Sequence, residues 1–406
     1  MSKPDATAGA LRGKIECYEA IRGLAALAVV VGHLILGFAP ALYFRNGARW
    51  LDIPAWLQVL ARFPGKFLWN GELPVEIFFV LSGFVLSLGF YRSGSSAGVC
   101  SAAIRRFPRL LIPAGASIFL ALILMQSGLM FVQQTVRHLD EIQGLTPAPG
   151  ATTDASNNWL RGFYNFSPSP FDAVREGFGG AFFATARYNL VLWTMPIELA
   201  GSFLIYAFVG IFGQARNRWL LYGLGTGLLI ALGHIHLTDF IAGMALCDWW
   251  TINQRAWRVQ LSLLPALAIL AIGIFVIPWK PISAFLVVAT VALSTRLQEL
   301  LSARWLSWLG RVSFAIYLIH MPIFCSLGCG LFLLLCREWG WSYGAGAFTA
   351  SVTSLAATLV LAELFCRWVD RPAIVISRWI DVALFRAETP VTFTKPDTSA
   401  PVAKAA

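Results

Sequence analysis

An all-α, polytopic integral membrane protein with about ten transmembrane helices is the fold class this sequence predicts. Three observations carry the prediction. Of the 406 residues, 57% are hydrophobic and only 13% charged, with a mean hydropathy of +0.67, whereas a soluble domain carries about 25% charged residues. The apolar residues fall in runs of membrane-spanning length. The basic residues lie between those runs and alternate in density from one gap to the next.

The runs follow in chain order, as approximate cores. They are Ala20 to Pro40, Leu73 to Tyr91, Leu110 to Phe131, Leu190 to Phe212, Trp219 to Gly233, Leu237 to Ile252, Leu261 to Ile277, Ile282 to Thr295, Val312 to Cys336 and Gly344 to Arg367. The fifth, sixth and eighth are shorter than the roughly 20 residues a span prefers. With the N-terminus inside and strict alternation, the inner segments hold 20 of the 31 Lys and Arg and the outer ones 10, with Arg22 inside the first span. Eight of the outer ten sit in two long loops, which weigh little in the positive-inside rule. Both termini are therefore expected in the cytosol, in a multi-pass protein of the plasma membrane.

Residues 1–18 read as a short cytosolic lead and 19–377 as the membrane domain. Residues 378–406, rich in Pro, Thr and Ala, read as a disordered cytosolic tail. The outer loops are 41–72 and 132–188. Loops this long are usually functional, and the second becomes strongly aromatic, with a short helix expected near Phe171 to Phe183 at the membrane surface. The first apolar run has no cleavage site and reads as a retained anchor. A net charge of +10 spread between spans explains topology and gives no nucleic-acid face. The seven cysteines imply no disulfide framework. Cys325 and Cys329 share a helix face without a nearby His or Asp, so no metal site is expected.

Chemistry enters through ionisable groups inside the apolar runs, where charge is costly and tends to face a protein interior or a wet cavity. Glu19, Arg22 and His33 fall within roughly 60° on one helix, with Arg22 and His33 about 16 Å apart along the axis. The same residues also suit a solvated Glu19–Arg22 pair and a core histidine. Glu76, Glu198, His320 and Glu363 lie in the second, fourth, ninth and tenth runs. Counting about 1.5 Å per residue, His33 and Glu198 come to one level, Glu76 a turn above and His320 somewhat below. Arg105, Arg106 and Arg109 precede the third run, where they suit topology, lipid phosphates or a phosphorylated ligand.

These stretches resemble the acyltransferase 3 family. The resemblance rests on EAIRGLAALAVVVGH (from Glu19), VEIFFVLSGFVLS (from Val75), IRRFPRLLIP (from Ile104), LWTMPIEL (from Leu192), GRVSFAIYLIHMP (from Gly310) and a closing Glu363 to Pro372 segment. It runs from Glu19 to about Pro372. Glu19 stands where the family often has Asp, and Met195–Pro196 fill the variable middle of the fourth-run motif. The resemblance implies a ten-helix protein of acyltransferase 3 type. Such a protein moves an acyl group, commonly acetyl, from cytosolic acyl-CoA to a hydroxyl of a carbohydrate, glycan or small-molecule acceptor. By position it makes Arg22 and His33 the family's Arg and His, Arg105 and Arg106 its paired arginines, and Glu198 its motif carboxylate.

The expected catalytic residues are His33 as base, Glu198 and Arg22. Acyl transfer to an alcohol needs a base, oxyanion stabilisation and two substrates held close. Glu198 or Glu76 is expected to fix the His33 tautomer as in a triad. Arg105, Arg106 and Arg109 are assigned to the CoA phosphates. His320 either polarises the thioester from the donor side or makes a structural hydrogen bond. Glu76, Trp193 and Tyr317 are the acceptor-side candidates. A secondary transporter with a His/Glu proton relay is the rival reading, but no internal repeat of the kind such folds show is present.

Overall fold

The computed structural model describes residues 6–39, 71–96, 98–142, 159–183, 186–256 and 260–385. Every regular element among them is helical. The elements are α1 (Ala6–Phe38), α2 (Glu72–Ser93), α3 (Val99–Gln126), α4 (Val132–Ile142), α5 (Pro170–Gly177), α6 (Met195–Phe212), α7 (Arg218–Ala231), α8 (Ile235–Ala256), α9 (Leu263–Ala271), α10 (Lys280–Leu293), α11 (Thr295–Leu301), α12 (Arg304–Ile323), α13 (Cys329–Leu333), α14 (Tyr343–Phe365) and α15 (Arg371–Phe385). Among the described residues, six stretches are long and apolar enough to cross a membrane. The pair α10–α11, bent by 97°, makes a seventh if counted as one span. The protein is an all-helical, multi-pass membrane protein. The remaining apolar runs form shorter helices or, in α8, a continuous helix whose apolar sequence is interrupted by His236, Asp239 and Asp248.

Local chemistry sets the ends. Gly94 stops α2 in the left-handed conformation, φ 66°, which only glycine adopts without strain. Ser169 caps α5 through Asp172 N, with Pro170 at the first turn. Pro322 lies inside α12, and the helix carries on through a π turn at Phe324–Gly328 into α13. A proline has no N–H to give the Leu318 carbonyl one turn back, and that carbonyl accepts from Asn189 Nδ2 instead.

Two helix contacts position everything that follows. Gly310 of α12 packs on the α1 backbone, so that a Cβ there would stand 2.2 Å from the Glu19 carbonyl oxygen. Gly243 of α8 packs on α2 in the same way, 1.9 Å from the Val80 carbonyl. Small residues allow such backbone approach in membrane bundles. Gly310→Val should therefore push α1 off α12, at a cost of about 1–3 kcal/mol or more. Thermal unfolding of the detergent-purified variant checks this; melting like the wild type would show the contact to be dispensable.

Two expectations need correction. The short helix does form, as α5 with a 3₁₀ turn at Gly180–Phe182, but it lies along the middle of α3. Gly177 meets Gly115, Phe178 meets Phe119 with ring centroids 6.3 Å apart, and Phe182 meets Phe107 at 5.4 Å. Gly115 lies about 16 Å short of the α3 end at Gln126, so residues 159–183 dip into the bundle. Two facing glycines make room for them. The tail boundary also moves, because α15 continues past Arg378. Ala373 and Ser377 are buried one turn apart, and Ser101 Oγ donates to Asp381 Oδ2 at 2.6 Å. The lead is helical from Ala6. Most of the first outer loop (residues 41–70) and tail residues 386–406 lie outside the described residues.

Candidate active site

The site has two layers. In the upper one, α1 and α12 bring His33 and His320 together, Nδ1 to Nε2 at 2.8 Å, with rings nearly parallel (12°). Trp159, from the dipping segment, also lies against His33, with ring centroids 5.3 Å apart. His320 Nδ1 faces the carbonyls of Tyr317 at 2.8 Å and Ile316 at 3.2 Å. A carbonyl only accepts, so this nitrogen carries the proton and His320 Nε2 must accept. His33 Nδ1–H is then the donor, and His33 Nε2 keeps its lone pair. No described residue bonds that nitrogen.

Below this pair, Tyr317 and Thr194 share a hydroxyl–hydroxyl bond of 2.8 Å, and the Tyr317 hydroxyl also meets the Val191 carbonyl. They roof a cavity of about 350 Å³. Its polar wall includes Glu19, Arg22, Arg106, Arg109, Glu198 and Asp370, with Arg311 and Arg371 beside them. Arg106 Nη2 bonds Glu198 Oε1, which also accepts from Ser82 Oγ at 2.7 Å, while Arg106 Nε donates to Ser202 Oγ at 2.8 Å. Arg22 and Arg109 make no hydrogen bond or ion pair with any described residue. Arg22 and Arg109 thus face the cavity with their donors uncommitted.

The expected carboxylate partner for His33 needs correction. Glu198 serves Arg106, and Glu76 Oε1 bonds His236 Nδ1 at 2.8 Å. The count along the fourth run fails because that run does not start at the outer surface. Asn189 already sits inside the bundle, donating to Ser117 Oγ at 3.0 Å and Leu318 O at 2.8 Å. Glu198 is one turn further along from Thr194, and His320 one turn along α12 in the opposite sense from Tyr317. About 10 Å of axial separation results. Trp193 is half exposed and lies beside His236, 5.9 Å between rings, outside the cavity lining. Arg105 lies at the outer edge of the arginine group, and Glu363 holds Arg367 and Trp308 Nε1. Sequence reasoning missed His236 and Asp239. Asp239 is 1% exposed, with its carboxyl against that of Glu76. The polar trio His234, His236 and Asp239 at the start of a weakly apolar run was the available signal.

The sequence model of the acyltransferase domain matches residues 15–365, which include both layers. The chain belongs to the acyltransferase 3 family. This acyltransferase is 24% identical to the O-acetyltransferase PaAT-1 of Phomopsis amygdali, over 91% of its own length and 85% of the relative's. It is 25% identical to the peptidoglycan O-acetyltransferase OatA of Listeria monocytogenes, where the match covers 76% of this chain and 52% of that protein. It is 24% identical to the acyltransferase R4 of a Phoma species, over 87% and 93%. No solved structure matches it significantly.

Proposed function

We propose that this acyltransferase moves an acyl group, acetyl by preference, from cytosolic acyl-CoA to a hydroxyl of a carbohydrate, glycan or small-molecule acceptor, with His33 as the base. The observation that carries the reading is the His33 Nε2 lone pair, held by His320 above a cavity with uncommitted guanidiniums. The acceptor O–H gives its proton to His33 Nε2 as its oxygen attacks the thioester carbonyl. The tetrahedral intermediate then expels the CoA thiolate, which takes the proton back from His33. His320 takes the part a carboxylate plays in a triad, fixing one tautomer. Arg22 and Arg109 bind the donor's phosphates from below, as guanidiniums suit phosphate oxygens. The termini face the cytosol in a plasma-membrane enzyme, which puts the cavity on the donor side. The relatives support O-acetylation, and peptidoglycan in one relative's name supports a glycan among the acceptor classes.

Two measurements test this. Membranes with and without the gene product are incubated with labelled acetyl-CoA and cell glycans or metabolites, and acetylated products are sought by mass. Label appearing only with the protein is the expected result; equal labelling in both would remove the proposal. His320→Ala should lower the rate at least about tenfold, because His33 then divides between tautomers. A rate equal to the wild type would show that His320 plays no part in setting the base.

A further inference from the structure

A second cavity, of about 280 Å³, opens between α3, α6 and α15. Arg105, Arg106, Arg109 and Arg378 line it together with Tyr206 and Ser377, and no carboxylate does. Arg106 is committed to Glu198 and Ser202. Arg105 uses Nε on the Ser101 carbonyl at 3.2 Å, with Asp381 3.8 Å away. Arg109 and Arg378 make no hydrogen bond or ion pair with a described residue. Arg105 and Arg106 are paired with carboxylates outside the cavity lining, so Arg109 and Arg378 are the two that face it without a described partner, and like charges placed so close favour a multiply charged anion between them.

We propose that this cavity holds the 3′-phosphate of the donor's adenosine, and that Arg378 is one of its ligands. The proposal rests on the acyl-CoA reading above. The two cavities share Leu86, Arg106, Arg109 and Ile374 as a common wall. The larger one rises from that wall to Thr194 and Tyr317, beneath the histidine pair. The donor is a linear molecule of thioester, pantetheine, diphosphate and adenosine. With the thioester at the top, the diphosphate falls at the shared arginine wall and the ribose phosphate beyond it. That phosphate is a monoester able to carry two charges, which matches the uncommitted guanidiniums at the far end. Arg378 comes from α15, beyond residue 365 where the family match ends. The helix is pinned for this role by the Ser101–Asp381 bond and the buried Ala373 and Ser377.

The test is equilibrium binding of CoA and of 3′-dephospho-CoA to the full-length, detergent-purified protein and to its Arg378→Ala and Arg378→Lys variants. The wild type should bind CoA at least about tenfold tighter than the dephospho form, the size of one charge-assisted hydrogen bond. Arg378→Ala should bring CoA down toward the dephospho form and leave the latter unchanged, with Arg378→Lys between. Arg378 is exposed, so these variants should fold. Equal wild-type binding of both ligands, or the same drop on both in Arg378→Ala, would overturn the proposal. So would loss of a co-purifying anionic phospholipid in Arg378→Ala with CoA affinity unchanged, which would make this a lipid headgroup site. Binding of neither nucleotide would remove the donor reading itself, a result distinct from the others.

Discussion

His33→Ala should lose acyl transfer by about 10²- to 10⁴-fold, the range for removal of a positioned general base. The Nδ1–His320 bond gives His33 a defined tautomer, and no other described group near it offers an unbonded basic nitrogen. Donor binding should survive, because the cavity arginines are a layer away. The measurement is the initial rate in membranes holding equal amounts of variant and wild type, alongside CoA binding by the same preparations. A wild-type rate would exclude His33 as the base. Loss of both rate and binding would point to misfolding instead, which His33→Gln, closer in size, would separate.

Glu198→Ala should damage the protein in a different way. The Arg106 and Glu198 side chains are 12% and 11% exposed, and removing one partner of a buried pair leaves the other charge uncompensated, at about 3–5 kcal/mol. The variant should therefore unfold at lower temperature and reach the membrane in smaller amounts. Replacing both partners with apolar residues, as Arg106→Met with Glu198→Leu, should restore much of the stability, since apolar replacements of buried pairs are often neutral. It should not restore donor binding, because Arg106 lines both cavities. A single variant as stable as the wild type would show the pair to be solvated. Activity in the double variant would show that Arg106 does not hold the donor.

Much of this site is legible in the sequence because charge inside apolar segments is locally expensive. Arg22, His33, Glu198 and His320 stand out on composition alone, and the arginines before α3 stand out by density. The partner of each is not legible. Counting from the start of its run puts Glu198 at the level of His33, but residues 159–183 dip into the bundle and Asn189 starts that run deep inside. Arg378 reads as the start of a tail because the chain beyond it is rich in Pro, Thr and Ala, yet Ala373, Ser377 and Asp381 recur every fourth residue and face α3.

The sequence by itself determined a helical, multi-pass membrane acyltransferase, since hydropathy, charge placement and motif order are properties of short segments. Tertiary structure alone decided that a histidine rather than a carboxylate holds His33, and that Arg22 and Arg109 are left facing open space. Those outcomes depend on helix contacts hundreds of residues apart along the chain, such as Gly310 on Glu19. Steric fit between backbones sets them, and no local pattern encodes it.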